Sequence, residues 1–330
     1  MTPIPSTIRA ISSRLLAEEL VRRGVTVEHL NTFTPGDAFL ALRLGAHVEH
    51  VYGTRSGRTA STADYACKDK YTAKRFLARA GLCVPRGEMF ACADMERIEA
   101  YAAELGFPCV LKRHDGSRGE LVFVGVNSPE QCRAILERHF ADRRFVLVEE
   151  LCRGREFRFF ATRTGTVGVV WREPAGVVGD GQRSVRQLID DKNAGRAPKF
   201  RIKLDELSEE LLAGQGLAYE SVPASGQPVR LRGNSNASTG GDSRDVTDEC
   251  HPDFKRLAAR AVAAVPDLLY AGVDIMIEQD IHQAPVVGRW AVLEINSNPG
   301  ISIHHHPGSG QARDVAGAIA DLLFPETREN

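Results

Sequence analysis

The sequence has no paired thiols. Its seven cysteines, Cys67, Cys83, Cys92, Cys109, Cys132, Cys152 and Cys250, form no Cys-x-x-Cys pair and are odd in number. That argues against a disulfide framework and reads as reduced thiols of a cytoplasmic protein. An excess of one charge is also missing, since 42 Lys and Arg face 43 Asp and Glu, leaving a formal charge of -1. No global basic field invites nucleic acid, so any polyanion must be held locally. Long apolar runs are absent too: the most apolar window, Leu257 to Ile277, is broken by Arg260, Pro266, Asp267 and Asp274, which would be costly in hydrocarbon. The start, Met1-Thr2-Pro3-Ile4-Pro5 followed by a stretch carrying Glu18 and Glu19, lacks the basic-then-apolar order of a secretory signal. What is there is ordinary for a folded soluble chain: 330 residues, 43% hydrophobic and 26% charged, enough for about two domains and far from the composition of disorder.

Helix, glycine and strand recur three times. Apolar residues at 11, 15, 16 and 20 precede Gly24 and the strand-like Val25-Thr26-Val27. Asp69 to Gly81 leads into Leu82-Cys83-Val84-Pro85, and Met95 to Leu105 stops at Gly106 before Cys109-Val110-Leu111-Lys112. The period is not fixed, so no solenoid is expected. Ser128-Pro129-Glu130-Gln131 opens a further helix with a capping box. Glu120 to Val126 and Phe145 to Val148 read as strands around it, and Glu156 to Thr162 with Thr166 to Trp171 as a hairpin. Residues 174 to 250, rich in Gly, Ser, Asn and Asp, are expected to be dominated by loops, with one short helix capped by Ser184. Regular structure returns with a helix from Asp253 to Val265, strands Gly272 to Glu278 and Trp290 to Asn296, and a helix from Asp314 to Phe324. This order implies α+β layers with much antiparallel sheet.

Three groups of residues can carry chemistry. Glu294 and Asn296 share one face of a strand by its two-residue period, and antiparallel pairing would bring Asp274 beside them. Oxygen donors without imidazole or thiolate select a hard cation, Mg²⁺ in particular; ordinary strands ending in polar turns remain the alternative. Lys112 to Gly119 forms a glycine-containing turn that can aim backbone N–H groups at phosphate, with Lys112 as a point charge, or simply a polar hairpin loop. The segment from Arg232 to Ser243 is too polar to build core and is either a linker or a site.

Taken together and in order, these segments resemble the ATP-grasp superfamily of carboxylate–amine ligases: Asp69-Lys70, the turn Ala80 to Pro85, Lys112, the loop Gly116 to Gly119, Glu149-Glu150-Leu151, and Asp274 with Glu294 and Asn296. Further segments are similar to the glutathione synthetase half of bifunctional glutathione-synthesising enzymes and to cyanophycin synthetase. They are Val178-Gly179-Asp180-Gly181, Ser235 to Ser243, Asp245-Val246-Thr247-Asp248, Asn298-Pro299-Gly300 and the text around Leu15 to Leu30 and Gly45 to Glu49. The separate amino-terminal ligase half of those bifunctional enzymes has no counterpart here.

The resemblance implies transfer of the γ-phosphoryl of ATP to a carboxylate and attack of an amine on the acylphosphate. It implies that Asp274, Glu294 and Asn296 hold Mg²⁺, with Mn²⁺ as a substitute, and that Lys70 and Lys112 bind nucleotide under a flap of Gly116, Ser117 and Gly119. Glu149, Glu150 and Leu151 would read adenine from their backbone, and Glu156 the ribose. Arg172, Arg232 and Asn236 would stabilise the reacting groups. Ser238, Thr239, Asn298, His304 and His306 would lie at the substrate, an amino acid or small peptide. Zinc at His304, His305 and His306 is disfavoured, because an extended chain points them to alternating faces and no fourth ligand has suitable spacing.

The expected architecture is an α+β ATP-grasp fold. Residues 1–66 form a short α/β segment, 67–150 the nucleotide lobe and 151–330 the C-terminal lobe, with ATP clasped between the lobes. Neither nucleic acid nor membrane is an expected partner, and self-association is left open. The rival reading is a catalytically inactive nucleotide-binding module with the same fold.

Overall fold

The computed structural model describes residues 4–33, 36–115, 121–196, 201–233, 235 and 240–328. Helix α1 (Ile11–Arg22) buries Leu16, Ala17 and Leu20 on one stripe. Gly24, at φ +83°, turns the chain, and the Val25 amide donates back to the Leu20 carbonyl at 2.9 Å, a glycine stop that only a residue without Cβ adopts cheaply. Strands β1 (Thr26–His29), β2 (Phe39–Leu44), β3 (His47–Tyr52) and β4 (Arg55–Ser56) follow. They form one antiparallel sheet in chain order, so this segment is α+β rather than the expected α/β. The two residues between Leu44 and His47 leave no room for a crossover helix. Its core is not separate either: Leu16, Leu20, Leu40 and Leu42 share one apolar cluster with Phe160, Tyr270, Ile319 and Leu323 of the C-terminal lobe.

Helices α2 (Ser61–Lys68) and α3 (Lys70–Arg79) come next. Chain order suggested a boundary at residue 67, but packing puts both helices with the C-terminal lobe, because Ala63, Ala66, Ala73 and Leu77 enter the core of Phe157, Phe159, Val273 and Ile295. The nucleotide lobe proper contains β5 (Gly87–Ala91), α4 (Met95–Leu105), β6 (Cys109–Lys112), β7 (Val122–Val126), α5 (Pro129–His139) and β8 (Phe145–Glu150). Its antiparallel sheet runs β5-β8-β6-β7. One face meets the helices through Cys109, Leu111, Val146 and Val148 with Ile98, Ala102, Cys132 and Leu136, so the alternate residues Val110, Lys112, Leu147 and Glu149 occupy the other. Ser128 caps α5 as expected, accepting from the Gln131 amide, while Gln131 reaches back to the Asn127 amide.

The C-terminal lobe starts with the expected hairpin, β9 (Arg155–Thr162) and β10 (Thr166–Glu173). Residues 174–231, expected to be mostly loop, instead build a small unit from β11 (Gly176–Val178), α6 (Val185–Ala194), α7 (Glu206–Gly214) and β12 (Pro228–Arg230). Ala175, Val185, Leu188, Ile189, Leu212, Val229 and Leu231 form its core. The helix capped by Ser184 stands as expected, as α6, with the Ser184 side chain accepting from the Gln187 amide; α7 and the two short strands were not expected, because their few apolar positions are spread among turn residues. The chain returns through β13 (Asp242–Asp245), α8 (Pro252–Ala264), β14 (Tyr270–Ile277), β15 (Trp290–Asn296), α9 (Ser302–His305) and α10 (Val315–Leu323).

The main sheet has the order β13-β10-β9-β14-β15. Along β9, Phe157, Phe159 and Ala161 face α8 and α3, while Glu156, Arg158 and Phe160 occupy the opposite face by the two-residue period. That opposite face is polar at one end and apolar at the other, where Phe160 and Tyr270 seat the N-terminal sheet. Replacement of Phe160, which is fully buried, by Ala is expected to cost about 3–5 kcal/mol in urea unfolding. A loss below about 1 kcal/mol would show that the N-terminal sheet is not anchored there.

Candidate active site

The polar end of the sheet brings together residues from four strands. Arg158 stands opposite Asp274 and Glu156 opposite Met276, Arg172 opposite Glu156, and Asp274 opposite Glu294. The Arg158 fork takes both oxygens of Asp274, one through Nη2 at 2.7 Å and the other through Nε. Arg172 donates to Glu156 at 2.9 Å and lies 3.5 Å from Asp274; its Nε donates to the Ser235 carbonyl at 3.3 Å, and the Ser235 hydroxyl bonds Glu156. Gly272 makes room, since a Cβ there would lie 3.2 Å from the Arg158 guanidinium. Burial raises the Asp274 carboxyl, but Arg158, followed by Arg172, holds it below its usual value. Burial raises Glu156, with Arg172 opposing and Asp274 adding to the shift. The two forks and two carboxylates make a fixed, water-poor charge array of the kind that stabilises charge developing in a reaction.

A second array faces it from α3 and the nucleotide lobe. Asp69 caps α3 by accepting from the Thr72 amide at 2.6 Å, which sets Lys70 and Lys74 four residues apart on one side of the helix. The Lys70 ammonium lies 3.6 Å from Glu294, and Lys70 N–H donates to the His114 carbonyl at 2.9 Å. Lys74 pairs with Glu149, whose second oxygen takes Lys112 at 2.6 Å. All three lysines and Glu149 are buried. Burial, then the charge of Lys70, lowers Lys112 to about 8; burial, then Lys112, pushes Lys74 well below the usual lysine value. Three ammonium groups sharing two carboxylates out of water repel one another, and a polyanion relieves that repulsion.

The structure thus gathers Lys70, Lys112, Glu149, Glu156, Arg172, Asp274 and Glu294, with Asn296 on the face of Glu294. Glu294 and Asn296 are partly exposed oxygen donors, a set that suits Mg²⁺, which keeps water and phosphate among its ligands. Asp274 does not complete the set as it stands, because both of its oxygens are held by Arg158. Among the described residues no group of three His, Cys, Asp or Glu is placed to hold a metal. A surface cavity of about 300 Å³ lined by Gly154, Glu278, Asp280 and Arg289 contains none of these groups.

Other expected residues stand elsewhere. Glu150 turns away from the lysines to pair with Arg86 at 2.7 Å, and Leu151 follows at the end of β8. Arg232 is buried and committed to Asp205 at 2.6 Å and to the carbonyls of Lys203 and Leu231, so it fastens α7 rather than presenting a free fork to reactants. Asn298 accepts from the Thr54 amide and donates to Asp37, both at 2.9 Å, which ties the N-terminal sheet to the end of β15. His304 is buried against Phe160 and Gly168, with burial, then Arg158, lowering it to about 3. His306 is exposed. The three histidines lie at a short helical turn, not on the expected extended chain. Gly116, Ser117, Gly119, Asn236, Ser238 and Thr239 lie outside the described residues. Sequence reading passed over Arg158 and Lys74, although alternation from Glu156 and the helical interval from Lys70 were the available signals.

If Asn298 is a clamp, Asn298→Ala leaves the Thr54 amide and Asp37 without their partner and should lower unfolding stability by about 1–3 kcal/mol, with nucleotide affinity retained. Unchanged stability with weakened substrate binding would instead return the side chain to the substrate.

No family model matches the chain. The chain is 33% identical over 329 residues to the glutathione biosynthesis bifunctional protein GshAB of Pasteurella multocida (strain Pm70), covering 96% of this chain and 43% of that protein. It is 33% identical over 324 residues to the cyanophycin synthetase of Nostoc sp., covering 95% of this chain and 35% of that one. The crystal structure of a bifunctional glutathione synthetase from Pasteurella multocida superposes with a TM-score of 0.69 over 97% of this chain and 45% of its own, at 33% identity. The chain therefore spans less than half the length of these relatives. With that likeness over nearly its whole length, and two α+β lobes facing each other across buried lysines, the chain belongs to the ATP-grasp family of carbon–nitrogen ligases.

Proposed function

We propose that this chain joins the carboxylate of an amino acid or small peptide to an amine, forming an amide, ADP and phosphate from ATP. The observation that carries the reading is the buried convergence of Lys70 and Lys74 from the C-terminal lobe with Lys112 from the nucleotide lobe, beside Glu294 and the Arg158–Arg172 array. In this reading Lys70 and Lys112 bind the phosphates, and the backbone after Glu149 meets the adenine. Glu294 and Asn296 would hold Mg²⁺, or Mn²⁺ in its place, which supplies charge neutralisation at the phosphoryl oxygens. Asp274 acts by fixing Arg158 and, through Arg172 and Glu156, the positive charge beside the reacting carboxylate. A carboxylate oxygen attacks the γ-phosphorus as ADP leaves; the amine then attacks the acyl carbon as phosphate leaves. Positioning and charge stabilisation are what the protein contributes.

Glutathione formation from γ-glutamylcysteine and glycine is the first specific case to test, and a specialised dipeptide is the second. The name of the Pasteurella relative supports the former. No helix among the described residues is long and apolar enough to cross a membrane, and all seven cysteines are free; both are compatible with the proposed cytoplasmic location. The inactive-module reading gains nothing from a site in which both the lysines and the acidic strand positions are present.

Incubation with ATP, Mg²⁺ and pools of amino acids and dipeptides should yield ADP together with a new amide mass; silence across broad pools would overturn the ligase reading. Glu294→Gln is expected to abolish phosphoryl transfer while the fold persists, and undiminished ADP release would remove Glu294 from the metal role. Lys112 is charged below its value of about 8 and neutral above it, and a bound triphosphate favours the charged form. ATP affinity should therefore be flat below pH 8 and weaken above it, with net proton uptake on binding at pH 9. Calorimetry in buffers of different ionisation enthalpy measures this, and affinity independent of pH from 7 to 9.5 would contradict it.

A further inference from the structure

The ligase reading gives tasks to Lys70 and Lys112 but none to Lys74, which is as buried as either. Lys74 lies one turn beyond Lys70 on α3, and the neighbouring Ala73 and Leu77 are embedded in the C-terminal core. Its ammonium nevertheless pairs with Glu149 of β8, in the other lobe. Glu149 is only 2% exposed, and its second oxygen holds Lys112 at 2.6 Å. Lys112 and Glu149 share the cleft face of the nucleotide-lobe sheet, two residues out of direct register. One carboxylate is thus clamped between a lysine of its own sheet and a lysine rooted in the opposite lobe. A buried carboxylate with a cation beside each oxygen is restrained by both, and its partner Lys112 is restrained with it.

We propose that Lys74 is a positioning residue for the nucleotide: by gripping Glu149 from the C-terminal lobe, it fixes where Lys112 stands and how closely α3 approaches β8 at the phosphate end of the cleft. The inference rests on the ATP-dependent reading of the site. Lys74 itself acts through Glu149, so the two residues form one coupled unit, and an arginine, which carries the same charge and can fork onto a carboxylate, should substitute for it in part.

The test measures ATP affinity, in the presence of Mg²⁺, by calorimetry for the full chain and for Lys74→Met, Lys74→Arg, Glu149→Gln and the double variant Lys74→Met/Glu149→Gln, with a cooperative thermal melt required of each. Should Lys74→Met fail to melt cooperatively, Lys74→Gln takes its place in both the single and the double variant. Lys74→Met is expected to weaken ATP binding at least about tenfold. Lys74→Arg should stay within about threefold of the unaltered chain, and the double variant should bind within about twofold of Glu149→Gln alone, as residues acting through one contact do. ATP binding unaffected by Lys74→Met, an arginine variant as weak as the methionine variant, or fully additive losses would each overturn the proposal. If the unaltered chain itself does not bind ATP, the ligase reading falls and this inference with it. If it binds and Lys74→Met binds equally well, this inference alone falls.

Discussion

The two lobes meet through a carboxylate that water does not reach. Glu149, from the nucleotide-lobe sheet, is held by Lys112 of the same sheet and by Lys74 of a helix packed on the other lobe. Removing such groups from water costs several kcal/mol per ion, and apolar side chains of similar volume would often serve stability as well or better. Their presence is therefore poorly explained as a device for stability. It is well explained by a ligand whose own charge completes the set, because burial holds Lys74 and Lys112 below the usual lysine value, with the charge of Lys112 adding to the shift of Lys74 and that of Lys70 to the shift of Lys112, an unfavourable arrangement that a bound polyanion relieves. The same reasoning applies across the cleft, where Arg158 and Arg172 face Asp274 and Glu156 in near balance.

The main sheet explains why these arrays can exist in a stable protein. The centre of one face is apolar, with Phe157, Phe159, Val273, Ile275 and Ile295 under α8 and α3. That burial is worth roughly 1.5–3 kcal/mol for each large side chain, and it gives the strands a fixed register. The opposite face is then able to carry Glu156, Arg158, Arg172 and Asp274 in unfavourable surroundings without losing that register. A one-residue slip would exchange the two faces completely, so the charged array and the core specify each other.

Much of this was legible in the sequence, and the reasons for what was not are physical. Strands β9 and β10 announce themselves as a hairpin by the three residues between them, and the carboxylates set within the apolar text of β14 and β15 allowed Asp274 and Glu294 to be placed side by side. Arg158 was visible in principle, two residues from Glu156, but alternation gives a face and not a partner, so its fork onto Asp274 could not be read. Of the small unit only α6 was legible, through its Ser184 cap; α7, β11 and β12 escaped because their few apolar residues are spread among glycines and polar turns, and only tertiary packing gathers them. Arg232 shows the opposite failure: a lone arginine in a polar segment looks free to meet an oxyanion, whereas the local chain bends Asp205 back to claim it.

The N-terminal sheet also bears on the site. Phe160 and Tyr270 continue the charged face of β9 and β14, and the buried Leu40, Leu42 and Leu16 cover them. The Tyr270 hydroxyl donates to the Thr54 carbonyl at 2.5 Å, while Thr54 and Asp37 hold Asn298, two residues beyond Asn296. Gly53 permits this approach, because a Cβ there would lie 2.5 Å from the Asn298 side chain and the backbone stands at φ +65°. The end of β15, and with it the direction of Asn296, is therefore fixed from the N-terminal side. The N-terminal sheet and α1 behave as the outer wall of the C-terminal lobe, so a chain lacking them would expose Phe160 and Tyr270 and lose the support beneath Asn296 in the same step.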